Sequence, residues 1–519
     1  MNQRTRALSR GSAAAFVLAA LGGLAQSSPI TAAGASSCED LRSLGLPSGH
    51  VDAAQVVAPG TFRPPTTGGN GTRSPYAALP AFCRVSATLT PSSDSDIKIE
   101  VWLPSAGWNA KLQAVGNGGW AGTISYSALA AAVSKGYAAV STDTGHATEG
   151  ASFALGHPEK FIDYSYRSEH EMTVAAKSVI ARFYGSSPRL SYFNGCSTGG
   201  RQAIVEASRY PDDFDGIVAG AAANPKAHLD AWRIWMAQAM HATPESFVPP
   251  AKHRAIHDAV LAKCDALDGA KDGLIENPTQ CTFDPSVLLC KAGDDPNCLT
   301  AAQVKTVRTI MTPPKNRKGE VVFPTYEPGT ELGWSRLLGG PDPYDTAVDQ
   351  YKYVVFGDAA WNWRSFDLDR DTPAADAAGS GVLAAVNPDL TAFASHGGKL
   401  LTYHGWSDPS IAPQASINFY RSALSATRAP ASSPDWLRLF MVPGMGHCSG
   451  GEGPDTFDAV SALEAWVEHG TPPSSMLASK IVDGKAVRTR PLCPFPQQAR
   501  YNGAGSLDDA ANFTCASPR

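Results

Sequence analysis

A chain of 519 residues, 43% of them hydrophobic, is long enough to bury a large core and is expected to form more than one domain. Its formal net charge is −5 at pH 7, and its basic residues form no long run. Nucleic acids and anionic membrane surfaces are therefore excluded from the expected partners.

The first 35 residues are predicted to be a secretory signal peptide. Three arginines lie within the first ten residues, a small and apolar stretch covers 12–25, and 33–35 read Ala-Gly-Ala, a typical cleavage site. The alternative is an uncleaved anchor, but the apolar stretch is shorter than the roughly 20 residues that a membrane span needs. The mature protein is therefore expected to be secreted or periplasmic.

Ten cysteines suit an oxidising compartment, where they can form five disulfides. A zinc site is disfavoured because the chain contains no C-x-x-C pair. Ten cysteines allow many pairings, so the connectivity stays open at this point. The sequence suggests four local pairs and leaves two cysteines for each other: Cys38 with Cys83, Cys264 with Cys281, Cys290 with Cys298, Cys493 with Cys515, and Cys196 with Cys448.

An alternation of strands and helices follows a loop-like arm. Residues 36 to about 90 are rich in Pro, Gly, Ser and Thr and are predicted to be loops. From 97 onward, short apolar runs alternate with helical spacing, which predicts an α/β fold with a mainly parallel sheet. The predicted strands are 97–102, 112–115, 137–142, 190–194 and 214–220, and the predicted helices are 169–184 and 200–209.

The alternation of predicted strands and helices stops between 224 and 390, a segment with several tryptophans and two close cysteine pairs. This segment is predicted to be an inserted lid domain. It separates the two parts of the core, 36–223 and 391–519. The second part is predicted to contain strands 399–404 and 437–442 and a late helix over 461–468.

A Gly-x-Ser-x-Gly motif covers 195–199, between a predicted strand and a predicted helix. This context is typical of a nucleophile elbow, a tight turn that exposes the hydroxyl of Ser197. The alternative interpretation is an ordinary glycine-rich turn between a strand and a helix.

The acid and the base of an α/β-hydrolase follow the nucleophile in that chain order. Asp408 comes directly after strand 399–404, and His447 comes after strand 437–442. Either could be an ordinary loop residue, but the placement of all three at strand ends favours a triad. His404 is a rival base that lies inside a strand end and before the acid.

These positions predict the roles of an acyl-transfer site. Ser197 attacks the ester carbonyl, His447 takes its proton and returns it to the leaving alcohol, and Asp408 orients the imidazole. The oxyanion is expected to bind the backbone N–H groups of Thr198 and of Gly119, which lies in a glycine-rich run.

Cys196 precedes the nucleophile and Cys448 follows the base. Serine hydrolysis needs the two catalytic side chains at hydrogen-bond distance, roughly 2.6–3.2 Å. If they meet, the neighbouring cysteines are close enough to form a disulfide that links the segment of the nucleophile covalently to the segment of the base.

The runs 195–201, 404–408, 443–448 and 490–494 resemble those of the tannase and feruloyl esterase family. The resemblance covers most of the chain after the signal. It implies an α/β-hydrolase core with an inserted lid, a serine esterase acting on hydroxycinnamates or gallates, and the five disulfide pairs named above.

MHETase-like relatives in the same family hydrolyse a terephthalate monoester. They carry glutamate where this chain has Thr198 and phenylalanine where it has Ile411. These differences make that activity the less expected one. Ile411 itself, close after Asp408, is a candidate for the edge of the substrate pocket.

An acidic loop over 264–274 contains three carboxylates and two glycines. Oxygen ligands and sharp turns suit calcium, although the spacing is not that of an EF-hand and an acidic surface turn is the alternative. The resemblance implies a structural calcium in the lid and no organic cofactor. It also implies the ligands: the side chains of Asp265, Asp268 and Asp272 and the carbonyls of Ala270 and Leu274.

The first hypothesis is therefore a secreted serine esterase of aromatic acid esters, similar to feruloyl esterases. Gallate ester hydrolysis and terephthalate monoester hydrolysis are the enzymatic alternatives. A binding protein on a hydrolase scaffold is the alternative from another class, and it predicts a disrupted triad.

Overall fold

The computed structural model describes residues 36–65, 75–120, 122–338, 340–430 and 435–518. The predicted signal peptide, 1–35, lies outside the described residues. Within the described ranges, no helix is both long enough and apolar enough to cross a membrane.

Strands and helices alternate along most of the chain. The strands are β1 Gly45–Leu46, β2 Gly49–Val57, β3 Phe82–Leu89, β4 Ile97–Pro104, β5 Lys111–Val115, β6 Ala138–Thr142, β7 Leu190–Cys196, β8 Gly216–Gly220, β9 Lys399–Gly405, β10 Leu437–Val442, β11 Met476–Val482, β12 Lys485–Leu492, β13 Gln498–Tyr501 and β14 Phe513–Ala516. The helices are α1 Tyr126–Ser134, α2 Pro158–Ile162, α3 Ser168–Tyr184, α4 Thr198–Arg209, α5 Lys226–Met240, α6 His253–Cys264, α7 Ala301–Ile310, α8 Ser335–Leu338, α9 Asp345–Asp349, α10 Leu368–Ala377, α11 Thr391–Ser395, α12 Gln414–Ala426 and α13 Ala459–His469.

One large sheet organises the core, with the strand order β1-β2-β3-β4-β6-β5-β7-β8-β9-β10. The strands from β5 to β10 pair in parallel, and β1 to β4 pair antiparallel. Every residue of β6 and of β8 is buried, as expected for parallel strands covered by helices on both faces. The predicted α/β fold with a mainly parallel sheet is confirmed.

The winding of the sheet reverses at β5, which lies between β6 and β7. Ligand sites of open α/β sheets lie at such a reversal, outside the carboxyl ends of the strands. The loops after β5 and β7 are the glycine-rich run and the turn that contains Ser197.

The prediction that 36–90 would be loops is wrong, because β2 and β3 are long strands of the main sheet. A bulge between Val51 and Ala53 shifts the register of β2 against β3. A bulge adds one residue to a strand and interrupts its period of two, which hides the pattern that identifies strands in a sequence.

As far as the structure describes it, the segment between β8 and β9 contributes helices but no strand to the ten-stranded sheet. Its hydrophobic clusters, around Trp232 and Trp334 and around Tyr351 and Trp363, also include residues from outside it, such as Ile411 and Trp120. The described residues belong to one compact unit, so the boundaries 224 and 390 of the lid domain stay a prediction.

The structure joins all ten cysteines in disulfides. The pairs are Cys38 with Cys83, Cys196 with Cys448, Cys264 with Cys281, Cys290 with Cys298, and Cys493 with Cys515. These are the five pairs that the sequence suggests.

Candidate active site

Ser197 occupies a sharp turn between the end of β7 and the start of α4. Its φ of +66° is rare for any residue other than glycine and stores backbone strain. A Cβ on Gly195 would lie 2.4 Å from the carbonyl oxygen of Gly199, so only glycine fits at the first position of the motif. This local geometry is that of a nucleophile elbow.

Ser197, His447 and Asp408 form one hydrogen-bonded chain. The Oγ of Ser197 lies 2.9 Å from Nε2 of His447, and Nδ1 of His447 lies 2.7 Å from Oδ2 of Asp408. A carboxylate only accepts, so Nδ1 carries the proton and Nε2 accepts from the serine hydroxyl. The three residues follow β7, β10 and β9, whose carboxyl ends meet at one edge of the sheet. The structure therefore brings the three sequence-predicted residues together.

The disulfide between Cys196 and Cys448 joins residues 252 apart in the sequence, which are the direct neighbours of Ser197 and His447. It links the elbow directly to the loop after β10. The covalent tie limits how far the Ser197 hydroxyl and the His447 imidazole can separate.

Asp408 is fully buried and accepts four hydrogen bonds. Its Oδ1 accepts from the backbone N–H groups of Ser410 at 2.7 Å and Ile411 at 3.0 Å, and its Oδ2 accepts from His447 and from Nε2 of His404 at 3.0 Å. Burial acts to raise the pKa of Asp408, but the two imidazoles outweigh it and hold the pKa well below its usual range. The carboxylate therefore stays ionised beside His447.

His404 is a positioning partner of the acid rather than a base. Its side chain is fully buried, its Nε2–H donates to Asp408, and its Nδ1 accepts from the hydroxyl of Ser416 at 2.7 Å. The sequence identified His404 only as a rival of His447. Its position four residues before Asp408 is the feature of the sequence that could have indicated a contact between the two side chains.

The predicted oxyanion loop lies against the elbow. Thr198 donates from Oγ1 to the carbonyl of Gly119 at 3.0 Å, and the hydroxyl of Tyr164 donates to the same carbonyl at 2.6 Å. Thr198 begins α4, where a backbone N–H has no partner inside the helix. Gly119 and Thr198 both line the cavity that contains Ser197, which places the two predicted donors beside the nucleophile.

A buried amide pair holds the other end of this loop. Oε1 of Gln202 accepts from the backbone N–H of Asn117 at 2.9 Å, and Nε2 of Gln202 donates to Oδ1 of Asn117 at 3.1 Å. Glu169, itself buried, accepts from the same Nε2. Sequence reasoning missed both Gln202 and Tyr164. Gln202 follows Ser197 by five residues on α4, whereas Tyr164 lies in an irregular helical turn that matches no motif.

The cavity around Ser197, called the nucleophile chamber below, has a volume of about 380 Å³. The core contributes the oxyanion loop, the elbow and His447. Ser410 in the loop after β9 also lines this cavity, and the insertion between β8 and β9 contributes further wall residues. Those residues include Lys226, Leu229, Arg233, Arg336 and Tyr344.

Two cations of α5 share one carboxylate in this wall. Nζ of Lys226 lies 2.5 Å from Oδ2 of Asp230, and Nη1 of Arg233 lies 2.9 Å from Oδ1 of the same residue. Burial lowers the pKa of Lys226 despite this pairing. Arg233 also donates from Nη2 to the carbonyl of Ser410 at 2.8 Å. The first helix of the insertion thus supports the loop whose backbone N–H groups donate to Asp408.

A second chamber of about 300 Å³ lies on the other side of His447 and Arg336, which line both cavities. Its wall combines side chains of the insertion and of the loops after β9 and β10. Among them are Leu261, Leu274, Leu332, Trp406 and Glu452.

Ile411 does not have the predicted role at the edge of the substrate pocket. Its side chain is fully buried, packs in the cluster around Trp232 and Trp334, and lines neither of the two chambers. Its backbone is fixed in the loop around Asp408, because its N–H donates to Asp408 and its carbonyl accepts from His404. With the backbone held in this way, the side chain points into the cluster. The prediction for Ile411 is corrected accordingly.

The acidic loop supplies the oxygen donors that calcium prefers, and Gly269 and Gly273 adopt positive φ values of 92° and 79° in it. Across the parts of the chain that the structure describes, no three His, Cys, Asp or Glu side chains form a metal-binding group by themselves. A cation here would need backbone carbonyls as well as carboxylates. Asp272 also pairs with Arg490, which takes up part of the negative charge.

Comparisons with known proteins support the esterase interpretation. The sequence model of the family described as tannase and feruloyl esterase matches residues 83–516. The chain is 37% identical to an uncharacterized esterase of Xanthomonas campestris pv. campestris, covering 97% of this chain and 94% of that protein. It is 34% identical to a probable feruloyl esterase B-2 of Aspergillus terreus, covering 91% and 93%.

Two solved structures are similar over nearly the whole chain. Feruloyl esterase B from Aspergillus oryzae matches with a TM-score of 0.86 and 32% identity, covering 92% of this chain and 99% of that one. Tannin acyl hydrolase from Aspergillus niger matches with a TM-score of 0.72, covering 91% and 92%. At 22% identity, the second likeness shows the fold alone.

Proposed function

The chain belongs to the tannase and feruloyl esterase family and is a carboxylic ester hydrolase, and we propose that it hydrolyses esters of hydroxycinnamic and related phenolic acids through an acyl-enzyme on Ser197. The observation that carries the mechanism is the unbroken hydrogen-bonded chain from Ser197 through His447 to Asp408. The feruloyl esterases among the similar proteins support the choice of acid.

The geometry supports each step of the mechanism. His447 accepts the Ser197 proton on Nε2 as the oxygen attacks the ester carbonyl, and ionised Asp408 stabilises the resulting imidazolium. The N–H groups of Gly119 and Thr198 bind the developing oxyanion. His447 then donates the proton to the leaving alcohol, and water releases the acid by the same path in reverse.

Export through the signal peptide at 1–35 is part of this proposal. Five disulfides support an oxidising compartment, since such bonds are rare in a reducing cytosol. Detection of a mature N-terminus near residue 36 in the exported fraction would test it.

A panel of three small esters tests the acid preference. We expect methyl ferulate to have the highest kcat/KM, by about 10-fold or more over methyl gallate and mono(hydroxyethyl) terephthalate. The reason is that the relatives at 32–34% identity carry feruloyl esterase names, whereas the tannin hydrolase shares only 22%. A preference for methyl gallate would favour the tannase alternative, and turnover of none of the three would refute the proposal.

We also propose a structural calcium in the acidic loop, with the side chains of Asp265, Asp268 and Asp272 and the carbonyls of Ala270 and Leu274 as ligands. The oxygen donors and the two glycine turns support it. The bound ion would neutralise the crowded carboxylates and fix the loop, which the disulfide between Cys264 and Cys281 already encloses.

Chelation tests this site without any activity measurement. We expect exhaustive treatment with EDTA to lower the Tm by a few degrees and added calcium to restore it, because a ligand that binds only the folded state stabilises it. Asp268→Asn should have a lower Tm that EDTA no longer changes. An unaltered Tm after chelation of the natural sequence would contradict the proposal.

A further inference from the structure

Trp120 directly follows the oxyanion donor Gly119, and its side chain has no role in the mechanism so far. The residue is 2% exposed and belongs to the hydrophobic cluster around Tyr351 and Trp363, which combines residues of the core with residues of the insertion between β8 and β9. The indole of the oxyanion loop therefore packs where these two parts of the chain meet.

Two contacts connect this indole to the insertion. Its Nε1–H donates to the backbone carbonyl of Thr346 at 2.9 Å, and Nζ of Lys226 lies 4.1 Å from the centroid of its ring. A cation above the face of a tryptophan ring is attracted by the negative charge of that face. Thr346 and Lys226 also line the nucleophile chamber. The segments of the insertion that hold the indole are therefore the ones that form part of the chamber wall.

Core residues hold the peptide group that joins Gly119 to Trp120. The carbonyl of Gly119 accepts from the hydroxyl of Tyr164 at 2.6 Å and from Oγ1 of Thr198 at 3.0 Å. The ring of Tyr164 also packs against the indole, with the two centroids 4.7 Å apart. Contacts from the core and from the insertion thus converge on the residue next to the donor.

The conformation of Gly119 explains why its neighbour has to be anchored. Its φ is +58°, and a Cβ added to it would meet nothing within 4 Å apart from its chain neighbours, so packing at its own Cα does not restrict it. Glycine adopts positive and negative φ about equally well. The direction of its N–H then depends on how the loop is held on either side. Gln202 holds the loop at Asn117, and the indole of Trp120 is the anchored side chain on the other side.

We propose that Trp120 is a positioning residue through which the insertion fixes the oxyanion donor: its indole, held by Thr346 and Lys226, keeps the N–H of Gly119 directed toward the oxyanion. An oxyanion donor lowers the barrier most when it already points to the place where the charge develops. This inference rests on the proposed function, because it needs acyl transfer at Ser197. It gives the insertion a part in the chemical step, in addition to lining the chamber.

Trp120→Phe tests the anchor, since it removes the N–H that Thr346 accepts and keeps an aromatic ring beside Tyr164. We expect kcat for methyl ferulate to fall by about 10-fold, less than the roughly 10²–10³ that the loss of a whole donor costs. KM should stay within about 2-fold, because a misdirected donor weakens the transition state and not the bound ester. Trp108→Phe is the matched control: the indole of Trp108 donates to the carbonyl of Lys111 at 3.0 Å and lines neither chamber, so kcat and KM should not change.

A pair of ketones separates the transition state from the bound ground state. With a trifluoromethyl ketone analogue of methyl ferulate, Oγ of Ser197 adds to the carbonyl carbon, the serine proton passes to His447, and the carbonyl oxygen becomes an anion at Gly119 and Thr198. The matching methyl ketone binds with its carbonyl group intact. Trp120→Phe should raise the Ki of the trifluoromethyl ketone by about 10-fold and leave that of the methyl ketone within about 2-fold.

Lys226→Met is a second variant, which removes the cation above the ring and keeps a long side chain. It should change the ratio of the two Ki values in the same direction. All variants are compared well below their Tm, so that lost activity does not reflect unfolded protein. An unaltered kcat in Trp120→Phe, equal rises of both Ki values, or a similar loss of kcat in Trp108→Phe would overturn the role of Trp120. If the natural sequence hydrolyses no ester, the proposed function fails instead, so the two failures are distinct.

Discussion

Ser197→Ala is expected to lower kcat for any ester that the protein hydrolyses by about 10⁶, the size of effect that loss of the nucleophile has in serine hydrolases. The variant keeps the Cβ, the strained turn and the disulfide at Cys196, so it removes only the oxygen that attacks and the proton that His447 accepts. The residual rate comes from the oxyanion donors and from binding. Steady-state hydrolysis of an aryl ester, with the unaltered protein alongside, measures the loss.

Ser410→Ala is the matched control, since it makes the same chemical change in the same chamber. The Ser410 hydroxyl is buried and, among the described residues, has no hydrogen-bond partner. Its loss should therefore cost far less activity. A fluorophosphonate that labels activated serines should add its mass to the peptide with Ser197 in both the control and the natural sequence. Retention of most activity or of labelling in Ser197→Ala would exclude it as the nucleophile.

Much of the fold could be predicted from the sequence because buried parallel strands are short apolar runs with turns at both ends. β6 and β9 are such runs, and the structure places them close to the predicted ranges. β2 was missed because its bulge breaks the alternation of a half-exposed strand. Local pattern is thus sufficient where a strand is fully buried and insufficient where register irregularities interrupt it.

The triad could be predicted for a related reason: chain order and strand ends locate catalytic residues without any knowledge of distances. The supporting residues could not. Tyr164 and Gln202 act on the oxyanion loop through contacts between distant segments, and the second chamber combines α6, the acidic loop and the loop after β10. Ile411 shows the converse error, because closeness in sequence to Asp408 did not fix where its side chain points.

Asp408→Asn is expected to lower kcat/KM by about 10⁴, because it favours the wrong tautomer of His447. Oδ1 of Asp408 accepts hydrogen bonds from two backbone N–H groups whose positions are fixed, so the asparagine must place its oxygen there. Its NH₂ group then faces the imidazoles of His404 and His447 and donates to them. His447 responds by carrying its proton on Nε2, where it can no longer accept from Ser197.

The same substitution should change how stability depends on pH. The pKa of Asp408 is lowered in the folded protein, so the ionised carboxylate stabilises the fold above its unfolded pKa of about 3.9, and this contribution is lost as the pH falls toward the folded value. Asparagine does not titrate. Between pH 7 and roughly pH 3, the natural sequence should therefore lose more free energy of unfolding than Asp408→Asn. The control is Asp371→Asn, which changes a buried aspartate of α10 outside both chambers. Equal losses in Asp408→Asn and the natural sequence, or near-normal turnover in Asp408→Asn, would mean that the two imidazoles do not depend on this carboxylate.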